Sequence, residues 1–399
     1  MIQPMFPAPS RRTALDRLTQ FVPSAGQTYA SGRNTDPGPD RPGAVSRLSP
    51  YLRYRLITEQ DVMARVLARH SLVAAEKFVQ EVSWRTYWQG WLEMRPGIWR
   101  RFQAERDASR EAMAGSAALA EAEQGRTGID AFDAWVKELS ATGYLHNHAR
   151  MWFASIWIFT LRLPWALGAD FFLRHLIDAD AASNTLSWRW VAGLQTPGKI
   201  YLARAANIAR HTEGRFSPTG LAAEGAALTE APIEPAGPLP LLAAPDPHAP
   251  SLLLIHHEDM HPESLLPADA PILGVASIAD RGLLWGDGAC RFVQSAAVDV
   301  AERAAGHFAC PAAVHEALDC QALLSQARAA GARQIVTPYA PVGPVADALA
   351  GLGRELAQSS VALVQMRRRW DEALWPHAKR GFFAFDAQIA DHLRADGLI

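Results

Sequence analysis

The spacing of apolar residues changes character once along this chain, and that change fixes the fold class. From Glu59 to about Phe216 apolar residues recur at i, i+3 and i+4, and prolines are rare inside the long runs. That is the pattern of helices that bury one face. Residues 221–250 lose all periodicity in an Ala/Pro/Leu-rich stretch (IEPAGPLPLLAAPDPHAP) that reads as a linker. After Ser251 short apolar runs (SLLLI, PILGVASI, RQIVTP, SVALVQM) alternate with helical ones (VQSAAVDVAERAAGHF, ALLSQARAAGA). Such alternation predicts a mostly parallel sheet with crossover helices. The expected architecture is therefore multi-domain: an all-α domain over residues 1–220, a linker over 221–250 and a smaller α/β domain over 251–399. Within the first, residues 1–58 read as loop-rich, with a turn cluster at SGRNTDPGPDRPG.

Composition narrows the function classes. No stretch approaches the roughly 20 continuous apolar residues that a bilayer-crossing helix needs. The N-terminal text MIQPMFPAPSRR has prolines where an export signal would have its apolar run, so a cytoplasmic protein is expected. Three cysteines, Cys290, Cys310 and Cys320, are too few and too scattered for a disulfide framework or an iron–sulfur cluster. The net charge of −2 hides an asymmetry: residues 1–220 hold 27 Lys+Arg against 20 Asp+Glu, and the remainder 12 against 21. A basic first part suits a polyanion such as DNA.

One motif in the second part points elsewhere. His257-Glu258-Asp259-Met260-His261 spells H-E-x-x-H, which binds zinc when both histidines share one face of a continuous helix. Here it follows the strand-like SLLLI and is followed by Pro262, so a loop is expected and no metal site is assigned. A zinc metalloprotease is the alternative of a different class.

Four segments stand out in the first part. The first is Tyr29-x-x-x-Arg33 with Ser46-Arg47-Leu48-Ser49-Pro50-Tyr51-Leu52. Taken alone, SRLSP also reads as an ordinary helix start, with Ser49 as N-cap and Pro50 at the first helical position. The second is Glu81-Val-Ser-Trp84-Arg85-Thr-Tyr-Trp88, whose Glu81, Trp84, Arg85 and Trp88 fall on one helical face. The third runs from Gly125-Arg-Thr127-Gly128 through Asp133 to Thr142-Gly-Tyr-Leu-His146-Asn147-His148-Ala-Arg150-Met151. The fourth is Leu176-Ile-Asp178-Ala-Asp180-Ala-Ala-Ser-Asn184-Thr-Leu-Ser-Trp188-Arg-Trp190. In this order, over roughly residues 29–216, the segments resemble the FAD-binding domain of the photolyase/cryptochrome family.

The resemblance implies FAD as cofactor, with its phosphates held by Tyr29, Ser46, Arg47, Leu48, Ser49 and Arg85; Val45 stands where the family usually has Thr. It implies that Arg150 pairs with Asp178, which accepts from the flavin ring. It also implies that Asp180 touches the ring or ribitol and that Asn184 faces the flavin N5. Glu81, Trp84, Asn147 and Met151 would line the cavity for a damaged dinucleotide, and Arg33 and Trp84 would contact DNA. His146-Asn147 with Met151 matches members that repair cyclobutane pyrimidine dimers, while His148 departs from the usual Arg. Trp188 and Trp165 match the first two tryptophans of the family's electron-transfer chain. The third would fall near Ala112, and residues 103–124 contain no Trp, so the usual path is truncated or rerouted. Trp88 and Trp91 read as core. The C-terminal part resembles the family's antenna domain, placed second as if circularly permuted. The function so implied is light-driven splitting of cyclobutane pyrimidine dimers in DNA by a monomeric lyase with no membrane or metal partner. A cryptochrome-like blue-light receptor is the alternative.

Overall fold

The computed structural model describes Phe6 and residues 9–399; most of the text read above for an export signal lies outside the described residues. Three short helices open the chain, α1 (Arg11–Phe21), α2 (Gln27–Gly32) and α3 (Ser49–Arg53). This corrects the loop-rich reading of residues 1–58. The first run has a buried stripe of Ala14, Leu18 and Phe21 and a Ser10 side chain that accepts from the Thr13 amide, enough to hold a helix. Leu48 rather than Ser49 precedes the first turn of α3, and Pro50 sits inside that turn.

Helix α4 (Glu59–Leu67) starts at a capping box between Thr58 and Asp61. The 22-residue α5 (Leu72–Glu93) follows, buried almost all round from Thr86 to Glu93. Around it lie α6 (Pro96–Ala112), α7 (Ala117–Glu123), α8 (Asp130–Thr142) and α9 (Asn147–Ser155). A wide turn over Ile156–Thr160 leads to α10 (Trp165–His175), α11 (Ala181–Ala192) and α12 (Ala205–His211). The aperiodic stretch after α12 is tied down along its length. Leu228 N–H bonds the Ala192 carbonyl at 3.0 Å and Gly237 N–H the Met94 carbonyl at 2.8 Å. Arg189, itself buried, pairs with both oxygens of Glu230.

The C-terminal part is a five-stranded, all-parallel sheet in the order β3-β2-β1-β4-β5. Its strands are β1 (Ser251–Ile255), β2 (Ile272–Ile278), β3 (Ala312–His315), β4 (Gln334–Pro338) and β5 (Ala362–Met366). Helices α13 (Asp287–Phe308), α14 (Cys320–Ala330) and α15 (Pro344–Leu356) cross between them, and α16 (Arg369–Leu374), α17 (Phe382–Asp386) and α18 (Ile389–Ala395) close the chain. Four strands were expected from the sequence. The fifth, β3, is a four-residue edge strand with no fully buried residue, too short and too wet to give a periodic signal.

Strand order turns about β1, with β2 on one side and β4 on the other. In sheets of this kind the crevice beyond the carboxyl ends of those strands is the usual ligand site. Here that edge faces the helical part: the Met260 amide after β1 bonds the Tyr54 carbonyl at 3.0 Å. The Tyr339 hydroxyl after β4 bonds Glu93 of α5 at 2.7 Å. One buried apolar cluster runs through both parts, joining Tyr51, Tyr54 and Trp91 to Phe292, Val336 and Trp370. Among the described residues no helix is long and apolar enough to cross a membrane.

Candidate functional site

Helices α2, α5, α9 and α11 bring the four sequence segments together. On α11 the chain enters through Asp178 and Asp180. Asp180 is the N-cap, accepting from the Ser183 amide at 2.7 Å, which fixes Asn184 and Trp188 on the following turns. On α9 the Arg150 guanidinium donates to the Leu145 carbonyl at 2.9 Å and to Asp178 at 2.9 Å, and lies over the Tyr144 ring. This pairing is the one the sequence segments implied. The other Asp178 oxygen is buried and has no partner among the described residues. A buried acceptor left alone is costly, so the position calls for a donor from outside the chain. A flavin ring N–H is such a donor, and the site fits that group.

The Asp180 carboxylate is held more tightly by protein. Its second oxygen lies 3.5 Å from the Gln89 amide, 3.8 Å from Arg85 and 3.7 Å from Arg53. Arg85 also pairs with the buried Glu59 at 2.9 Å and bonds the Arg53 carbonyl at 3.1 Å, while its Nε is buried without a partner among the described residues. The Asn184 amide donates to the Ala169 carbonyl at 2.9 Å, which orients its carbonyl the other way. Ser46, Arg47 and Ser49 are half-buried and Leu48 is buried. Arg47 takes a left-handed backbone, φ +52°, between them, a conformation that costs a non-glycine residue about 1 kcal/mol or more. The Ser46 hydroxyl accepts from the Leu48 amide at 3.3 Å, so its proton remains available to an acceptor.

On α5 the Glu81 carboxylate accepts from Arg33 at 2.8 Å. Burial pushes the Glu81 carboxyl above its usual range, with Arg33 pulling the other way. The buried Tyr29 hydroxyl is likewise held protonated by burial, and Glu81, Arg33 and Tyr144 all act on it. Asn147 is exposed and Met151 half-buried at the start of α9. His146 is buried and held neutral, its pKa lowered to about 4 by burial and by nearby Arg150 and Arg47, against the pull of Asp36.

Trp84 has a neighbour that no local pattern announced. Phe382 of α17 lies flat against it, with centroids 3.7 Å apart and planes 7° apart. Trp88 and Trp91 are core, as read from the sequence. Trp188 is buried against Phe172 at 5.1 Å. It lies over Gly168, one turn after Trp165 on α10, where any Cβ would collide with its ring. Beyond Trp165 the rings continue to Phe102 (5.7 Å), Trp99 (5.3 Å from Phe102) and the half-buried Trp285 (6.1 Å from Trp99). Neither Trp99 nor Trp285 was singled out in the sequence, because their proximity arises only once the C-terminal part packs on α6.

The H-E-x-x-H residues form a turn after β1, not a helix, and the structure puts them to another use. Glu258 is bonded by both terminal nitrogens of Arg53, at 2.6 and 2.8 Å. Asp259 is bonded by Arg368 at 2.5 and 2.7 Å and by Arg55 at 3.4 Å. Arg55 in turn holds Asp371 at 2.8 and 2.7 Å. A glutamate neutralised by a buried guanidinium cannot serve as a general base.

Part of the chain is similar to known proteins. Residues 78–220 match the family model described as the FAD binding domain of DNA photolyase. A deoxyribodipyrimidine photo-lyase of Streptomyces griseus is 35% identical over 154 residues, covering 38% of this chain and 33% of the relative. One from Thermus thermophilus is 34% identical over 201 residues, covering 49% and 45%. A solved class III photolyase from Agrobacterium tumefaciens is 28% identical over 51% of this chain and 43% of its own, with a TM-score of 0.44. The chain spans less than half the length of these relatives. Residues 78–220 thus resemble the FAD-binding domain of DNA photolyase.

Proposed function

We propose that this protein is a light-driven DNA-repair lyase that splits cyclobutane pyrimidine dimers. The observation that carries the reading is that residues 78–220 hold both a buried Asp178 oxygen left for an outside donor and a partly exposed Glu81–Trp84 face on α5. Flavin and lesion would thus be held side by side. Asp178, oriented by Arg150, would accept from the flavin ring, and the Asn184 carbonyl would face its central nitrogens. Ser46, Ser49 and Arg85 would bind the phosphates, with Tyr29, Arg47 and Leu48 shaping that wall and Asp180 holding Arg53 and Arg85 in place. Bound and fully reduced, FAD supplies a light-excited one-electron donor and takes the electron back once the dimer has opened, so no net redox change remains.

The chain's own residues position, desolvate and stabilise. Glu81 would present its carboxyl group to the carbonyl and imide edge of the dimer, where negative charge develops; a preorganised polar group of this kind contributes ~2–4 kcal/mol. Trp84 and Met151 offer apolar surface to the flipped-out lesion, Asn147 its amide, and Arg33 a charge for the flanking phosphate. Trp188 and Trp165 would pass electrons inward when the flavin must be reduced, and the rings of Phe102, Trp99 and Trp285 support a path that leaves through the C-terminal part. The parallel sheet supports reading that part as the antenna-type domain in permuted order.

The test is blue-light repair of an oligonucleotide carrying a single dimer, with the flavin fully reduced. Repair by wild type and its clear loss in Glu81→Ala at full flavin occupancy are expected. Stoichiometric flavin without repair of single- or double-stranded substrate would replace this reading with that of a photoreceptor.

A further inference from the structure

The segment Lys379–Phe383, at the start of α17, has features that flavin binding leaves unused. Phe382 and Phe385 are buried at 5% and 0% exposure, yet Phe383 between them is 81% exposed. Lys379 and Arg380 are exposed and make no ion pair among the described residues. Only their carbonyls are engaged: Arg95 donates to that of Lys379 at 3.0 Å, and the Tyr87 hydroxyl to that of Arg380 at 2.8 Å. The far end of α17 is fixed by the Gln80 amide donating to Asp386 at 2.9 Å. The backbone is thus fastened to α5 and its C-terminal end, while one aromatic and two cationic side chains project into water.

Its position gives this feature meaning. Phe382 is stacked on Trp84, and the Phe383 ring centroid lies 6.0 Å from that of Phe382. The exposed ring therefore stands beside the face proposed above to receive a flipped-out lesion. From Pro376 to Phe385 the text PHAKRGFFAF contains no acid. A rigid aromatic flanked by unpaired cations is the combination that holds nucleic-acid strands, by stacking on a base and by releasing counterions from phosphates. A protein partner would call for a mixed surface, and this segment carries one sign of charge.

We propose that the Lys379–Phe383 segment is a DNA-contact element contributed by the C-terminal part. Phe383 stacks on a base next to the lesion, and Lys379 and Arg380 hold the adjoining phosphates. The proposal rests on the DNA-repair reading and extends it to a part of the chain outside the matched FAD-binding domain. Phe382, by lying against Trp84, sets the distance between the two stacking faces.

Fluorescence anisotropy in the dark tests it, using the full flavin-bound chain and labelled oligonucleotides with and without a cyclobutane dimer. Phe383→Ala should weaken binding of the dimer-containing strand roughly ten-fold, with unchanged flavin absorbance and melting temperature; Phe383→Trp should restore it. Phe383→Leu keeps apolar bulk without a stacking face and should behave like the alanine variant. Lys379→Ala with Arg380→Ala should lower the slope of log affinity against log salt by about two. If the Phe383 and Lys379/Arg380 variants bind as wild type while Trp84→Ala loses affinity, the segment is no contact and the DNA reading stands. If wild type itself does not prefer the dimer and shows no salt-dependent binding, the DNA reading falls and takes this inference with it.

Discussion

Asp178 illustrates how far single residues can be read. The sequence segments set it opposite Arg150, and the structure joins the two at 2.9 Å across 28 positions. The pairing was legible because the family resemblance of the two segments implies it. The Arg33–Glu81 pair and the Trp84–Phe382 stack were not, since contacts between residues 48 and about 300 positions apart leave no trace in local spacing. Asp178→Ala should remove the proposed flavin acceptor and leave the half-buried Arg150 without its acid. The expected result is flavin well below one per chain, measured by absorbance, and a loss of roughly 1–3 kcal/mol in denaturant unfolding. Full occupancy with unchanged stability would contradict the assignment. Trp165→Phe and Trp285→Phe should each slow the blue-light reduction of bound flavin by an added thiol, followed by bleaching of its visible band. A rate unchanged in Trp285→Phe would end the path at or before Trp99.

Elements were legible wherever their apolar period was long, and least so where they are short or shaped by packing. The helices after Glu59 follow the text closely, whereas α2, α3 and β3 have too few residues to declare a period. Helix α5 adds a titratable link that no motif marks. Its last residue, Glu93, accepts from the Tyr339 hydroxyl at 2.7 Å and the Val342 amide at 2.5 Å, tying it to the loop after β4. Burial outweighs these bonds and pushes its carboxyl up to about 7, from a usual value near 4.5. In that window the folded chain keeps a proton that the unfolded chain has lost. The stabilisation is thus full below about pH 4.5 and disappears as pH rises through about 7, a difference on the order of 3 kcal/mol. Glu93→Gln keeps the acceptor without the ionisation. It should flatten this part of the pH–stability curve and be more stable than wild type at pH 8 by guanidinium unfolding. Parallel curves for the two proteins would show that Glu93 does not titrate there.

At the scale of the whole molecule, the sequence divided the chain into parts that the structure then welds together. The alternation after Ser251 announced a parallel sheet, but nothing in it announced that the crevice at the strands' carboxyl ends would be filled by the helical part. The joint is made of buried charge: Arg53 with Glu258 and Arg55 with Asp259 and Asp371, while Arg368 holds Asp259 from within the C-terminal part, all under 10% exposed. Taking the parts apart would separate Arg53 from Glu258 and Arg55 from Asp371 and Asp259, leaving Asp259 with Arg368 alone. Removing one partner of such a buried pair typically costs about 3–5 kcal/mol. The parts should therefore unfold together. Heating the flavin-bound chain should give one transition, with flavin release, tryptophan emission and far-ultraviolet dichroism changing at the same temperature. Glu258→Gln should lower that temperature and still show one transition. It should also weaken flavin binding, because Arg53, left half-paired, stands 3.7 Å from Asp180. The Arg53 guanidinium holds Glu258 down to about pH 2. Wild type therefore keeps this contribution above the usual glutamate range and loses it as pH falls from about 4.5 toward 2, a loss Glu258→Gln should not show. Two resolved transitions in wild type, one carrying the flavin signal and the other not, would mean that the charged joint does not couple the parts.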